Sequence, residues 1–231
     1  MEKVGFIGAF DKTDLLIHLA KIMTVLNKKV LIIDSSLNQK AKYIIPVINP
    51  TTSYVTEFEG FDVAVGFRGI DEIRSYLGLQ DGEELEYDIA LIDIDSIKSF
   101  NEYKDDNMKL NYFVTSFDLF SLKKGLEVLS GITYRIDLKK VLYTKTMSQE
   151  EDDYLNFLSH DLPIVWNEEK IYFPFEMGDQ SVIIENQRVS KIKFRNLSND
   201  YKDGLLHLTG DILSDVKSGD LRHAMKFLEK N

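Results

Sequence analysis

The chain has no cysteine among its 231 residues, which excludes a disulfide framework, a thiol nucleophile and any cysteine-ligated metal site. Its four histidines, His18, His160, His207 and His223, stand at no metal-ligand spacing. Basic residues are the minority charge, 28 Lys+Arg against 38 Asp+Glu for a net charge of -10. That balance argues against a strongly basic nucleic-acid surface, so direct nucleic-acid binding is not expected, although a local patch is left open. No apolar run reaches the roughly 18 residues that would suggest a membrane span. The first residues read as a strand rather than a charged-then-apolar leader, and the expected location is cytoplasmic. Internal repeats and low-complexity tracts are missing too.

What remains is an ordinary globular composition, 44% hydrophobic and 29% charged, with enough length to bury a core. Lys3 to Ala9 reads as a strand. Leu15, Leu16, Leu19, Ile22, Met23 and Leu26 then recur at helical spacing, with Asn27-Lys28-Lys29 closing the helix. Val30 to Ile33 is a continuous apolar run of the kind buried on both faces of a parallel sheet. A loop-rich region with Pro46, Pro50 and Thr51-Thr52-Ser53 follows, then a short strand over Phe61 to Gly66 and a short helix over Asp71 to Leu77. The acidic stretch Asp81 to Glu86 reads as a solvated connector.

Tyr87 to Asp95 is a second strong strand, and Lys109 to Ser116 a third. Asp118 is placed to cap a helix carrying Leu119, Leu122, Leu126 and Leu129. Further elements are a strand over Lys139 to Thr146, a helix over Gln149 to Leu158, a strand over Leu162 to Trp166, and the apolar, aromatic stretch Lys170 to Phe175. Helices over Asn199 to Leu213 and Asp220 to Glu229 end the chain. Strands alternate with helices, which predicts an α/β fold with a mostly parallel sheet in one domain.

The stretch richest in chemistry is Ile7-Gly8-Ala9-Phe10-Asp11-Lys12-Thr13-Asp14, between the first strand and the first helix. Strand, glycine-containing turn, Lys-Thr and helix, followed by the buried strand ending at Asp34, is the layout of a phosphate-binding loop. The bland alternative is a polar helix start in which Asp11 or Thr13 caps the helix. Asp93 sits at a strand end after four apolar residues. Asp62, Asp71 and Asp88 read as surface or capping residues, His18 as exposed to solvent or a groove, and Trp166 with Tyr172, Phe173 and Phe175 as core.

These residues resemble the deviant Walker A family of P-loop ATPases, the ParA/MinD group, which includes partition ATPases, cell-division positioning ATPases and the CpaE-like proteins of pilus assembly. Family members carry Lys-Gly-Gly-x-Gly-Lys-Thr-Thr/Ser in this turn. Lys28-Lys29-Val-Leu-Ile-Ile-Asp34 is similar to the strand after the family's first helix, Tyr87-Asp88-Ile-Ala-Leu-Ile-Asp93 to its Walker B strand, and Tyr112 to Asp118 to the next strand. The ordered resemblance spans roughly residues 1 to 215. It implies a P-loop NTPase-like three-layer sandwich with helices on both faces of the sheet. The expected division is a ParA/MinD-like α/β domain over 1–216 and a terminal helical segment over 217–231.

The resemblance marks Gly8, Lys12, Thr13, Asp34 and Asp93 as vestigial nucleotide-binding candidates, with Thr13 and Asp93 as Mg²⁺ ligands only if nucleotide binds. It also exposes departures. Ile7 stands where the family has its signature lysine, Ala9 and Asp11 replace glycines, and Ser36 replaces the acid that helps position the attacking water. An Asp11 carboxylate beside phosphates at ~4 Å would cost about 1 kcal/mol in water and several times that near a protein surface.

The expectation is therefore a protein with no catalytic residue and no resident cofactor, ATP and Mg²⁺ entering only if the site still functions. It would act as a scaffold or regulatory partner in a pilus, secretion or plasmid- or element-borne assembly, contacting protein partners and open to forming a homodimer. Recruitment to a membrane would come through a partner. The alternative is an active, divergent ATPase with a nucleotide-driven dimer cycle in DNA partitioning or cellular positioning. The last segment is short and mildly basic, so a docked or frayed terminal helix is expected, with membrane contact as the alternative.

Overall fold

Neighbouring residues of a strand point to opposite faces, and the apolar runs of this chain supply both faces of one sheet. The computed structural model describes residues 1–48, 51–80, 83–104, 108–144 and 149–230. Its strands are β1 (Glu2–Ile7), β2 (Val30–Asp34), β3 (Tyr54–Phe58), β4 (Phe61–Val65), β5 (Ile89–Ile94), β6 (Met108–Ser116), β7 (Ile136–Thr144) and β8 (Ile164–Pro174). Its helices are α1 (Thr13–Val25), α2 (Ala41–Ile44), α3 (Ile70–Tyr76), α4 (Ile97–Tyr103), α5 (Leu119–Ser130), α6 (Gln149–Leu158), α7 (Met177–Val189), α8 (Asn199–Ile212) and α9 (Ser218–Leu228).

Among the described residues the strands form one sheet in the order β3-β4-β2-β5-β1-β6-β7-β8, parallel throughout except for the β3–β4 hairpin. Val30 and Ile32 of β2 face the layer formed by α1, α8 and α9, while Leu31 and Ile33 face the layer of α3, α4, α5 and α6. The fold is an α/β three-layer sandwich. β1 lies at its centre, flanked by β5 and β6, so the loop after β1 opens where the chain order switches direction across the sheet. Met225 and Leu228 of the terminal α9 are buried in the same core as α1 and α8.

A buried ion cluster fixes α6 to the sheet. Lys140 Nζ donates to Asp152 Oδ1 at 2.6 Å and to Asn156 Oδ1 at 2.5 Å, and Lys170 Nζ lies 2.5 Å from Asp152 Oδ2. The Lys140 ammonium also stands 4.8 Å from the centroid of the Trp166 ring.

Several elements differ from the sequence-based expectation. The first strand ends at Ile7 rather than Ala9, because Gly8 turns the chain. The region after β2, read as loop, contains α2 and β3. β3 and β4 are joined by Glu59 and Gly60, both at positive φ (52° and 95°), as a tight hairpin requires. Ser96 caps the unexpected α4 by accepting from Ser99 N at 3.1 Å, and α7 was also unexpected. Leu162 to Trp166 and Lys170 to Phe175 are parts of one strand, β8, whose register on β7 shifts between Leu138 and Lys140 and so takes up the intervening polar residues. Helix α6 has the expected bounds, and Asp118 caps α5 by accepting from Ser121 N at 3.0 Å. Pro50, Asp81-Gly82 of the acidic connector, and Lys145-Thr146 at the end of the expected strand lie outside the described residues.

Candidate functional site: the loop after the first strand

Gly8 has φ +142°, and a Cβ there would lie 2.2 Å from the carbonyl oxygen of Val114 on β6. Its N–H donates to Ile94 O of β5 at 2.9 Å. The loop therefore starts as a backbone strip wedged between the two neighbouring strands, a position open only to glycine. Gly125 lets α5 approach from above, since a Cβ there would meet the Phe113 ring at 2.9 Å and Ala9 N at 3.6 Å. Ile7 is fully buried in the core beneath α4 and α5.

Lys12 folds back into its own loop. Its ammonium donates to Gly8 O at 2.6 Å and Phe10 O at 3.1 Å, and pairs with Asp93 Oδ1 at 2.9 Å. A lysine has three N–H donors, and here three oxygens of the protein surround them. Only 2% of the Lys12 side chain is exposed. Burial pushes the Asp93 carboxyl up to about 7, with Lys12 opposing and neighbouring Asp34 adding to the rise.

Asp11 sits at the start of α1, where the first N–H groups of a helix point outward without intrahelical partners. Its Oδ1 accepts from Thr13 N at 3.1 Å, and its Oδ2 is ion-paired to Lys40 from the loop after β2. Burial would raise the Asp11 carboxyl, but the Lys40 ammonium and the Thr13 bonds outweigh it and hold the group below its ordinary range. The expected cap role of Asp11 thus takes the form of a carboxylate at the helix N-terminus, the place where such loops hold a phosphate.

The acids on β2 and β5 are engaged as well. Asp34 and Asp93 stand side by side in register. Asp34 Oδ1 accepts from Ser36 N at 3.1 Å and Ser36 Oγ at 2.6 Å, while its Oδ2 accepts from Ala41 N at 2.9 Å. Asp95 receives Leu37 N on both oxygens, at 3.0 and 2.9 Å. Ser35 Oγ donates to Asp93 O at 2.5 Å. The segment from Ser35 to Ala41 is thereby tied to Asp34, Asp93, Asp95 and Asp11.

The structure brings together Gly8, Lys12, Thr13, Asp34 and Asp93, with Ser36 bonded to Asp34. Thr13 is buried, and its N–H is the one held by Asp11. Lys40 and Gln187 are the residues that sequence reasoning missed. Lys40 carries no motif signal and lies in a region read as loop. Gln187 comes from the unexpected α7 and donates to both Asp14 oxygens, at 3.0 and 2.9 Å, while burial pushes the Asp14 carboxyl up to about 6. His18 is not exposed as expected but buried, its ring edge-on to Phe194 and Tyr201 and its Nδ1 2.7 Å from Asp14 O. Burial pulls the imidazole down to about 4 and keeps it neutral. Among the described residues, no cluster of three or more His, Asp or Glu side chains is arranged to hold a metal ion.

The architecture is shared with a ParA family ATPase from Chlorobium tepidum TLS, at a TM-score of 0.56 and 14% identity, over 90% of this chain and 98% of that one. The fold is that of the ParA/MinD ATPases. A chain of the MinC:MinD cell division protein complex of Aquifex aeolicus matches at a TM-score of 0.54 and 14% identity, over 91% of this chain and 96% of that one. A plasmid partition protein from Borrelia burgdorferi B31, bound to AMPPNP, matches at 0.53 and 10% identity, over 93% and 98%. No family model matches the sequence, and no curated protein matches it significantly.

Proposed function

We propose that this chain is a ParA/MinD-fold protein whose nucleotide site has degenerated, and that it serves as a scaffold or regulatory partner in a larger assembly without hydrolysing ATP. One observation carries the reading: the Asp11 carboxylate lies at the N-terminus of α1, bonded to Thr13 N and paired with Lys40. An anion of the protein itself stands where a phosphate anion would be received, and like charges at ~4 Å repel by about 4 kcal/mol near a protein surface. Three further features point the same way. Lys12 is spent on Gly8, Phe10 and Asp93, Ile7 offers no charge and is buried, and Ser36 has no carboxylate to orient a water. ATP-Mg²⁺ does not fit residues so engaged, and no catalytic step is assigned through it.

A scaffold needs a protein partner, and a chain of this fold is found complexed with MinC in Aquifex aeolicus. By that analogy the partner here is a component of a pilus, secretion or plasmid- or element-borne apparatus. The protein is proposed to reside in the cytoplasm and to reach a membrane only through its partner. No helix among the described residues is long and apolar enough to cross one.

The second reading is a divergent active ATPase with a nucleotide-driven dimer cycle. It is favoured by the convergence of Lys12, Thr13, Asp34 and Asp93 at one loop, and by the AMPPNP bound to a structural neighbour. Phosphate release with Mg²⁺-ATP separates the two. The scaffold reading expects the same background rate for the wild type and Lys12→Ala, whereas turnover that disappears in Lys12→Ala would establish the ATPase.

A further inference from the structure

Two surfaces on opposite layers of the sandwich carry opposite chemistry. Helix α6 turns Asp152 and Leu155 inward, where Lys140 and Lys170 hold Asp152. That orientation places Glu150, Asp153, Tyr154 and Phe157 outward, at the i, i+3, i+4, i+7 positions of one helix face. Tyr154 is 44% exposed and Phe157 76%, an unusual cost for large aromatic rings in a soluble chain. Among the described residues neither Glu150 nor Asp153 forms a close ion pair; Asp153 accepts from Gln149 at 2.8 Å and feels the charges of Lys140 and Lys170 only at longer range.

On the other layer, α7 packs Val182 and Ile183 toward the core and exposes Ile184 and Val189. The chain then runs Arg188-Val-Ser-Lys-Ile-Lys-Phe-Arg195, eight residues with four cations and no acid in a protein of net charge -10. Arg188, Lys191, Lys193 and Arg195 are all exposed, and none is ion-paired among the described residues. Beside this strip opens a groove of about 300 Å³, lined by Val182, Phe194, Lys193 and Arg195 and also by the acids Glu185 and Glu229.

We infer that the acidic, aromatic face of α6 docks onto the basic strip from Arg188 to Arg195 of a second copy of this chain, with Phe157 directed at the groove beside Lys193. Charge complementarity selects the occupant: among the described residues, neither the acids at 150 and 153 nor the cations at 188, 191, 193 and 195 form a close ion pair within one copy. Since the two faces belong to opposite layers, one copy cannot satisfy both by folding on itself. The contact is heterologous, and it repeats head to tail. It rests on surfaces apart from the β1–α1 loop and needs no nucleotide, so it stands or falls separately from the state of that site.

The test is sedimentation velocity of the full chain over a range of concentrations, at low and high salt, without nucleotide. The expected result is a weight-average mass that rises beyond the dimer with concentration and falls with salt, because exposed charges are screened. Glu150→Lys with Asp153→Lys, and separately Arg188→Glu with Lys191→Glu, are expected each to weaken association by more than about tenfold. Mixing the two variants restores it, since both contacts then pair opposite charges again, and this rescue also shows that both variants are folded. A wild type that stays monomeric throughout, variants that associate as the wild type does, or a mixture that fails to reassemble would each overturn the inference.

Discussion

Lys12 Nζ and Asp93 Oδ1 lie 2.9 Å apart, and both side chains are sealed from solvent. Taking one partner from a buried ion pair leaves the other charge uncompensated, at a typical cost of about 3–5 kcal/mol. Lys12→Met is therefore expected to destabilise the protein by roughly that amount near neutral pH, as read from urea unfolding.

The same variant carries a pH signature. The Asp93 carboxyl already stands at about 7, above its ordinary 3.8, and loss of Lys12 removes a charge that lowers it. A group whose folded-state pKa is raised keeps a proton that the unfolded chain releases. Stability then declines as pH rises from about 4 through the folded value and recovers on acidification. The penalty of Lys12→Met should accordingly be larger at pH 8 than at pH 5. An equal penalty at both would mean that Asp93 stays ionised without Lys12.

Asp11 joins two interactions that substitutions can separate. Asp11→Asn keeps an oxygen for Thr13 N but gives up the Lys40 ion pair, which is more than one-third exposed on both sides. Screened by solvent, that pair is worth at most about 1 kcal/mol. Asp11→Ala also strips the α1 N-terminus of its acceptor, at a further cost of about 1 kcal/mol. The urea midpoints should fall in the order wild type, Asn, Ala.

Two glycines are expected to respond oppositely to alanine. Gly8 combines a φ of +142° with a Cβ position 2.2 Å from a backbone oxygen, so Gly8→Ala should cost more than about 3 kcal/mol or prevent folding. Gly219 lies in α9 with nothing within 4 Å of its Cβ position. Gly219→Ala should leave stability unchanged or raise it by up to about 1 kcal/mol through helix propensity. Thermal melts of the two variants distinguish a loop that requires glycine from a helix that merely contains one.

The layered frame was legible wherever one signal dominated. Val30 to Asp34 and Ile89 to Ile94 are apolar on both faces, which only a covered parallel sheet explains, and Asp118 before a leucine-spaced run marked its helix start. Legibility failed where the deciding physics was not local. The β3–β4 turn is Glu59-Gly60 rather than an Asn-Gly pair, so the hairpin carried no strong turn signal. Asn167-Glu168-Glu169 looked like the end of a strand, yet a register shift on β7 lets β8 continue through it. In the site, the residue types at Gly8, Lys12, Thr13, Asp34 and Asp93 were readable and do converge. The partners that now engage them, Lys40 against Asp11 and Ala41 N against Asp34, come from a loop with no periodicity. His18 was misplaced for a related reason: the wall that buries it is built by Phe194 and Tyr201, far along the chain.

The central claim is that the protein's own groups have taken the places of nucleotide phosphate. Isothermal titration calorimetry of the full chain with ATP and excess Mg²⁺ tests it most directly. No saturable heat is expected at ligand concentrations up to about 1 mM, where a Kd of that size would still correspond to about 4 kcal/mol of binding. A saturable isotherm with a micromolar Kd would contradict it, and would show that Asp11 and Lys12 yield their present partners to the nucleotide.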